Sequence, residues 1–214
     1  MIGRTNAVSS GGGSPDYSLR NQAFWGSVNL HEFRYASGFS ENMSSIQPID
    51  STQDAAIDID WSKAFEIFVT FKITGSLSST GKAFYGNGTS GFYRTPSAEL
   101  SSNNSGTIWA GISANGSSWG NNLEIRASDG ATFPQNTWLT FKCSYDGTNW
   151  SIEYYDGTNT ITKTAAVSGT PYHSTSYYLV IGNSARSRKS TNLVYDLNNC
   201  YIKSQGVMVW GHKE

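Results

Sequence analysis

Apolar and polar residues alternate with a period of two along several stretches of the chain. In residues 65–73 every odd position is apolar, and the even positions are Glu, Phe, Thr and Lys. Residues 138–145 alternate in the same way, with Leu139, Phe141 and Cys143 on one face. Because successive side chains of a strand point to opposite faces, each stretch predicts a strand with one face in a core. Further strands are predicted at residues 150–155, 177–181, 200–203 and 207–210.

Two identical tetrapeptides separate the middle strands. Asp-Gly-Thr-Asn occurs at residues 146–149 and again at 156–159. Asp-Gly favours a hairpin turn, because Gly adopts positive φ and the Asp side chain bonds nearby backbone. We therefore predict a three-stranded meander over residues 139–163, with its two turns at opposite ends. Asp and Asn oxygens also suit Ca²⁺, so the sequence leaves calcium binding open as the alternative.

The chain shows no helical pattern and divides into two parts. No apolar stripe with a 3.6-residue period extends over three turns, and short strands at this spacing indicate an antiparallel sandwich or barrel. Residues 1–22 contain a Gly/Ser-rich tract and predict a flexible N-terminal arm. This arm is either a loose terminus or a segment that orders against another subunit. Residues 23–214 form the predicted all-β domain.

Composition excludes several classes of protein. Charged residues make up 14% of the chain and the net charge is −1, so we expect no nucleic-acid partner. No apolar stretch is long enough for a membrane helix, and we expect no secretory signal at the N-terminus. Two cysteines, Cys143 and Cys200, cannot form a disulfide framework. We expect both to be buried and unpaired, although a single bridge between their strands remains open.

Several motifs in this order resemble the concanavalin A-like lectin/glucanase superfamily, especially its LamG-like jelly rolls. The Asn-Thr-Trp at 136–138 leads into the Tyr-Asp-Gly at 145–147, and a later strand ends in Ile181-Gly182. The early Ser-Gly-Phe-Ser at 37–40 and the late segment 196–211 look most like domains of bacteriophage tail and virion proteins. The resemblance covers roughly residues 33–211. It implies an antiparallel jelly-roll β-sandwich that binds ligands at rim loops or on a concave sheet.

The resemblance also implies what chemistry to look for. Glucanases of this superfamily place catalytic carboxylates on one strand as Glu-x-Asp-x-x-Glu, and this sequence has no such run. Asp58 and Asp60 share a strand face, but no Glu follows, and Asp60 fits a turn before Trp61. The histidines, His31, His173 and His212, have no metal-ligand spacing. We therefore expect no catalytic residues and no cofactor, and the sequence leaves a metal site undecided.

Two polar segments with aromatic residues are candidate sugar-binding loops. They are residues 85–94 and 109–122, which are rich in Gly, Ser and Asn. An aromatic ring can stack on the C–H face of a sugar while amides and hydroxyls meet its hydroxyl groups. The run 185–189 is basic and predicts either a solvated loop or a site for an anionic group. The candidate ligand-binding residues are Trp119, Asn115, Tyr93, Arg94, Arg186 and Arg188.

Two aromatic residues of the second segment are interpreted differently. Trp119 has no apolar row around it, so it either contacts a ligand or covers a sheet edge. Trp109 lies closer to an apolar row, and we expect it in the core.

Together these patterns predict a non-enzymatic phage protein at the virion surface, made in the host cytoplasm. It would be a fibre, decoration or tail-associated subunit that binds glycans, with the arm at 1–22 held by capsid or tail proteins. A homo-oligomer is compatible with this role. The alternatives are a structural cement protein that binds no sugar and, third, a polysaccharide hydrolase with an atypical carboxylate pair.

Overall fold

The protein is an all-β sandwich in the computed structural model of the chain. The structure describes residues 60–77, 82–87, 96–101, 106–114, 120–172, 179–181, 192–196 and 199–213. Within these ranges the only helical element is the 3-10 turn Ala127–Asp129. No helix in the described part of the chain is long and apolar enough to cross a membrane. The predicted arm at residues 1–22 lies outside the described residues.

In the described part of the chain, twelve strands form two antiparallel sheets. The seven-stranded sheet has the order β12-β11-β1-β6-β7-β8, with β10 pairing with β1. Its strands are β1 (Phe65–Ile73), β6 (Trp138–Tyr145), β7 (Asn149–Tyr155), β8 (Thr160–Ala166), β10 (Leu193–Tyr195), β11 (Asn199–Ser204) and β12 (Val207–Lys213). The five-stranded sheet has the order β5-β4-β3-β2-β9. Its strands are β2 (Lys82–Asn87), β3 (Ser97–Ser101), β4 (Thr107–Ile112), β5 (Asn121–Arg126) and β9 (Leu179–Ile181).

The period-two pattern correctly predicted the centre of the seven-stranded sheet. Strand β1 buries Phe65, Ile67, Val69, Phe71 and Ile73, each at most 3% exposed. The predicted meander over residues 139–163 is confirmed as β6, β7 and β8. Stretches of alternating apolar residues form strands here because each strand gains a buried face when its sheet packs on the other sheet. The antiparallel jelly-roll sandwich predicted from the sequence is therefore the observed fold.

Aromatic rings from both sheets fill the space between them. Phe84 of the five-stranded sheet lies 4.6 Å from Phe71 and 5.1 Å from Phe141, centroid to centroid. All three side chains are fully buried. Aromatic pairs at these distances stabilise a core beyond the area that they bury. This cluster identifies the inner face of each sheet, and the opposite face of each sheet is its outer face.

The two Asp-Gly-Thr-Asn segments are hairpin turns at opposite ends of the meander, as predicted. Asp146 accepts hydrogen bonds from the backbone N–H groups of Thr148 and Asn149 at 2.8 and 2.7 Å. Asp156 makes the same pair of bonds in the second turn. In each segment the aspartate Oδ1 accepts the backbone hydrogen bonds that hold the turn, so the hairpin interpretation explains both tetrapeptides.

The segments 85–94 and 109–122 are only partly loops, which corrects the sequence interpretation. Residues 85–87 belong to β2, residues 109–112 to β4, and residues 121–122 to β5. Gly, Ala and Asn have low intrinsic strand preference, so these stretches carry no strand signal of their own. They become strands because each pairs with neighbours distant in sequence, as β4 does with β3 and β5.

The two cysteines are buried and unpaired, as expected. Cys143 lies on β6 and Cys200 on β11, and β1 lies between these two strands. Two strand spacings are about 10 Å, well beyond the reach of a disulfide. Burial raises the pKa of each thiol to about 12. The disulfide bond that the sequence left open as an alternative is therefore not formed, and both cysteines act as small core side chains.

Candidate functional site

Strand β4 divides its side chains between the core and the outer face of the five-stranded sheet. Ile108, Ala110 and Ile112 are fully buried against the other sheet. Trp109 points to the opposite face because side chains alternate along a strand, and it is only partly buried. The expectation that Trp109 belongs to the core is wrong. The buried residues of β4 occupy even-numbered positions, whereas residue 109 is odd-numbered and therefore lies on the opposite face.

Pairing across the sheet places a carboxylate on each side of Trp109. Glu99 of β3 and Glu124 of β5 are its direct cross-strand partners. Since neighbouring strands are 4.7–4.9 Å apart, the Cα atoms of the two glutamates are separated by about 9.6 Å. Direct cross-strand neighbours on one face have Cβ atoms about 5 Å apart, so both side chains adjoin the indole.

The rows on either side of Glu99–Trp109–Glu124 are small or polar. We define the Trp109 face as these nine outer-face positions of β3, β4 and β5. They are Ser97, Gly111 and Asn122; Glu99, Trp109 and Glu124; and Ser101, Thr107 and Arg126. Gly111 has no side chain, so the surface drops to the backbone between Ser97 and Asn122. The face thus combines one aromatic ring with hydroxyl, amide, carboxylate and guanidinium groups.

Burial and charge vary across the Trp109 face. Glu99 is 8% exposed although it lies on the outer face, whereas Asn122 and Arg126 are exposed. The Arg126 guanidinium pairs with Glu124, and its Nε donates to Oε2 at 2.6 Å. The Ser97 hydroxyl is buried and has no hydrogen-bond partner among the described residues. The face therefore holds a carboxylate–guanidinium pair and a second, more deeply buried carboxylate, that of Glu99.

The β5 end of the face is held by the short helical turn that follows it. Asp129 Oδ2 accepts a hydrogen bond from the Arg126 backbone N–H at 2.8 Å. Its other oxygen accepts one from Lys163 of β8 at 2.5 Å. The Lys163 hydrogen bond and then the Arg126 backbone lower the pKa of Asp129. These bonds fix the point at which β5 leaves the sheet, and thereby the position of Arg126 beside Glu124.

The other end of β5 is joined to the seven-stranded sheet. Asn121 donates from Nδ2 to the Ser168 carbonyl at 3.3 Å and accepts from the Ser168 N–H at 2.8 Å. The Tyr172 N–H donates to the Ser113 carbonyl at 2.7 Å. These bonds hold the segment after β8 against the ends of β4 and β5, so the edge of the five-stranded sheet has a defined position.

The candidate binding residues predicted from the sequence all lie outside the described residues. They are Trp119, Asn115, Tyr93, Arg94, Arg186 and Arg188. The strands show where their connections are attached. The connections carrying Tyr93 and Trp119 leave the five-stranded sheet at the same end, where Ser97 pairs with Gly111. The chain leaves β9 towards Arg186 at the opposite end, because β9 runs antiparallel to β2.

Other residues considered from the sequence occupy structural positions or lie outside the described residues. Asp60 forms the predicted turn, accepting hydrogen bonds from the Ser62 N–H and hydroxyl at 2.9 and 2.6 Å. Asp58, His31 and His173 are not described, nor is the His212 side chain. Among the described residues no group of three or more His, Cys, Asp or Glu side chains is arranged to hold a metal ion.

The outer face of the seven-stranded sheet differs in chemistry from the Trp109 face. Phe68 stacks on Tyr201 with centroids 5.1 Å apart, and the Tyr201 hydroxyl donates to Glu66 at 2.6 Å. Lys142 pairs with Glu153 at 3.1 Å, and Lys203 with Glu66 at 3.4 Å. Here each of these carboxylates has a lysine partner, so charges are balanced locally.

Sequence reasoning missed Glu99 and Glu124 for a clear reason. They lie on two strands that are not adjacent to each other, and β4 lies between them. A search for two carboxylates on one strand cannot find them. The only local signal was the Trp109 stretch, where the tryptophan is out of phase with Ile108, Ala110 and Ile112.

Comparison with known proteins finds solved structures of similar fold but no family to which this chain can be assigned. No protein-family model matches the sequence, and no curated protein matches it significantly. The structure is similar to the enzymatically active domain of tailspike protein 2 from bacteriophage CBA120, with a TM-score of 0.54 and 9% identity. That match covers 70% of this chain and 26% of the tailspike chain, so the protein spans about a quarter of its neighbour's length.

Two further solved structures overlap less closely. One is the CBM40 of the Ruminococcus gnavus IT-sialidase, bound to α2,3-sialyllactose, with a TM-score of 0.47, 11% identity, and coverage of 70% of this chain and 80% of that chain. The other is the alginate lyase from Klebsiella pneumoniae, with a TM-score of 0.39, 9% identity, and coverage of 66% and 60%. At these identities the similarities concern the β-sandwich fold.

Proposed function

We propose that this protein is a non-enzymatic glycan-binding domain, and that it uses the Trp109 face. The observation that carries the proposal is the position of Trp109, a partly buried indole at the centre of a polar sheet face. Seven of its eight neighbours on that face have polar or charged side chains that can hydrogen-bond sugar hydroxyls, and the eighth is Gly111.

Replacing Trp109 by Ala tests this function directly. We expect Trp109→Ala to weaken binding to the preferred glycan at least tenfold, because a central aromatic contact contributes about 2 kcal/mol or more to binding. The measurement is a glycan array with the wild-type chain, followed by titration of the best ligand against both variants. Trp138→Ala is the matched control, because Trp138 lies on the other sheet, beside Lys72, and should leave binding unchanged.

The outcomes of this experiment separate the three candidate functions. Equal binding by wild-type and Trp109→Ala protein, with both variants folded, would contradict the proposed site. A silent array for a folded wild-type chain that binds virus particles tightly would favour the cement protein. Glu99 and Glu124 flank Trp109, and they are the candidate carboxylate pair for the hydrolase alternative. Release of new reducing ends from a bound polysaccharide, lost in Glu99→Gln, would contradict the non-enzymatic proposal.

We further propose that the domain is displayed on a phage virion as a fibre, decoration or tail-associated subunit. The sequence resemblance and the Gly/Ser-rich segment 1–22 support this placement, and the fold shared with the tailspike domain is compatible with it. In this proposal capsid or tail proteins hold residues 1–22, and neighbouring copies of the chain can form a homo-oligomer.

Deleting residues 2–22 tests the virion placement. We expect the truncated chain to be absent from purified particles while its melting temperature stays unchanged, because the arm contributes no core residues in this proposal. Quantitative immunoblotting of particles against free protein measures the loss. A control chain with residues 2–22 replaced by a Gly/Ser sequence of equal length should also be absent. Normal incorporation of either variant would show that the arm is not the anchor.

A further inference from the structure

We infer that strand β8 pairs edge to edge with β8 of a second copy of this chain, antiparallel and around a two-fold axis at Thr164. The inference concerns how copies of the chain assemble and goes beyond the proposed glycan-binding function. It starts from the position of β8 at the end of the seven-stranded sheet, where its one strand neighbour among the described residues is β7. We call the edge of β8 that faces away from β7 its free edge.

Hydrogen bonds at both ends of β8 identify the backbone groups that line its free edge. The Asp156 N–H donates to the Asn159 carbonyl at 3.0 Å, and the Val167 N–H donates to the Thr148 carbonyl at 2.9 Å. Hydrogen-bonded pairs alternate with non-bonded pairs in an antiparallel ladder, and the register of β7 with β8 is continuous. The odd positions of β8 therefore bond to β7, whereas the even positions direct their N–H and C=O groups to the free edge. These even positions are Thr160, Thr162, Thr164 and Ala166.

The free edge of β8 is accessible to a partner. The four even positions are all exposed, and among the described residues no backbone group outside β8 bonds to their outward N–H and C=O groups. Their side chains are three threonines and one alanine, so the edge is uncharged, and threonine favours strands. A row of accessible N–H and C=O groups is a template for pairing with a further strand.

The other terminal strands of the two sheets have features that hinder such pairing. Strand β9 is three residues long, and β12 has a bulge where it pairs with Ile202 and Lys203 of β11. In β5 the carboxylate of Asp129 occupies the Arg126 N–H at 2.8 Å. Short strands, bulges and covering segments are common ways of protecting a sheet edge. Strand β8 has seven residues without a proline or a bulge, so it is the edge best suited to pairing.

A second copy of β8 is complementary to this edge. In antiparallel self-pairing with the axis at Thr164, even positions meet even positions, so outward groups meet outward groups. Thr162 then opposes Ala166, and Ile161 opposes Val167, which is an apolar pair. About six hydrogen bonds join the two strands in this register. Because the partner is the same strand, one contact covers both free edges and closes the assembly as a dimer.

Lys163 selects the position of the axis. It is the only charged residue of β8, and an axis at Lys163 would place two lysines directly opposite each other, which is unfavourable. An axis at Thr162 would extend the pairing into the β7–β8 turn and lose ladder bonds. With the axis at Thr164, Lys163 opposes Ala165, and its ammonium stays bound to Asp129 of its own chain at 2.5 Å.

The dimer has a consequence for the Trp109 face. The two-fold axis of an antiparallel pair is perpendicular to the paired sheet, so the five-stranded sheets of both copies lie on the same side of the dimer. Both Trp109 faces then point in one direction and can contact one surface together, which raises the apparent affinity for dense glycans. This consequence rests on the proposed function, whereas the pairing itself does not.

A proline at position 164 tests the pairing without removing a bond to β7. Thr164→Pro removes an N–H that points to the free edge, and proline is tolerated at such edge positions. We expect the full wild-type chain to reach the mass of a dimer in a concentration series by sedimentation equilibrium. Thr164→Pro should weaken dimerisation at least about thirtyfold, because two of about six hydrogen bonds are lost. Thr164→Ala is the matched control, since it keeps the N–H, and it should weaken dimerisation by no more than about fivefold.

A cysteine at the axis tests the register, and it also tests the pairing if Thr164→Pro does not fold. The Cα atoms of position 164 in the two copies lie about 5.5 Å apart in this arrangement, within reach of a disulfide. Thr164→Cys should therefore form a disulfide-linked dimer under mild oxidation. Thr158→Cys is the matched control, because Thr158 is also exposed but lies about 40 Å from its own copy. Cys143 and Cys200 are buried, so the introduced thiol is the one that reacts.

Several results would overturn the inference. A wild-type chain that stays monomeric throughout the series, or that forms trimers, has no two-fold β8 pair. A dimer that Thr164→Pro and Thr164→Ala weaken equally is held by another surface. Equal cross-linking of Thr164→Cys and Thr158→Cys, or none of either, would exclude the axis at Thr164. None of these results bears on glycan binding, which the array and Trp109→Ala test separately.

Discussion

Gly106→Ala should destabilise the fold by about 3 kcal/mol and lower its melting temperature by about 6–12 °C. Gly106 has φ +112°, a conformation that residues with a side chain rarely adopt. A Cβ placed there would also lie 2.3 Å from Cδ2 of Phe133. The Phe133 ring cannot simply move away, because it stacks on Tyr154 at 5.2 Å between centroids. Strain and overlap therefore add, and thermal unfolding of the variant measures their sum.

Gly147→Ala is the matched control for this prediction. Gly147 has φ +104°, and a Cβ there would meet no atom within 4 Å. The control therefore carries the backbone strain without the overlap, and it should lose only about 1 kcal/mol. In a Phe133→Ala background the cost of Gly106→Ala should fall towards that of the control. If Gly106→Ala and Gly147→Ala cost the same, contact with Phe133 is not the cause.

Asp156→Ala should destabilise the fold by about 2–4 kcal/mol, more than Asp146→Ala in the identical tetrapeptide. Each aspartate caps its own turn through Oδ1, but Asp156 also accepts hydrogen bonds through Oδ2 from the Thr132 N–H and hydroxyl at 3.1 and 2.9 Å. Asp156 is 2% exposed, whereas Asp146 is exposed. Removing Asp156 therefore removes two of the hydrogen bonds that join the segment after the short helical turn to the β7–β8 hairpin, and leaves the bond from the Tyr154 hydroxyl to the Thr132 carbonyl. Urea denaturation of the two variants compares the costs.

The same carboxylate gives the prediction a pH dependence. Burial raises the pKa of Asp156, but the hydrogen bonds from Asn159, Thr158 and Thr132 outweigh it, and the net pKa is lowered. Since the folded pKa lies below the unfolded value of about 3.9, this stabilisation is present above about pH 4 and is lost as pH falls below it. The gap in stability between wild type and Asp156→Ala should narrow in that range. A gap that stays constant down to pH 2 would show that ionisation of Asp156 contributes nothing.

Local sequence was sufficient for most of the seven-stranded sheet, although not for β10, and in the five-stranded sheet it predicted only β9. Strand β1 has five apolar residues in strict alternation, so one face of it must be buried in any antiparallel arrangement. Strand β4, with Thr-Ile-Trp-Ala-Gly-Ile, mixes a large aromatic residue on one face with small residues on both. Its strand character comes from its neighbours β3 and β5, which supply hydrogen bonds that no window of the sequence contains.

The candidate site shows the same division. The sequence supplied the ingredients of sugar recognition, aromatic and small polar residues, and directed attention to the loops that contain Tyr93 and Trp119. The described site lies instead on paired strands, where Glu99, Trp109 and Glu124 meet in one row. Residues of different strands become neighbours only through register, and register depends on which strands pair and how far each is shifted.

By itself, the sequence determined that the chain is all-β, that residues 139–163 form a meander with two Asp-Gly turns, and that Cys143 lies on a buried face. These properties follow from period-two alternation and turn chemistry, which act over a few residues. Only the tertiary structure decided that Trp109 faces outward, that Glu99 and Glu124 flank it, and that Asp156 alone of the two turn aspartates is tied to Thr132. Each of these depends on the pairing of strands or the packing of segments distant in sequence, which local patterns do not contain.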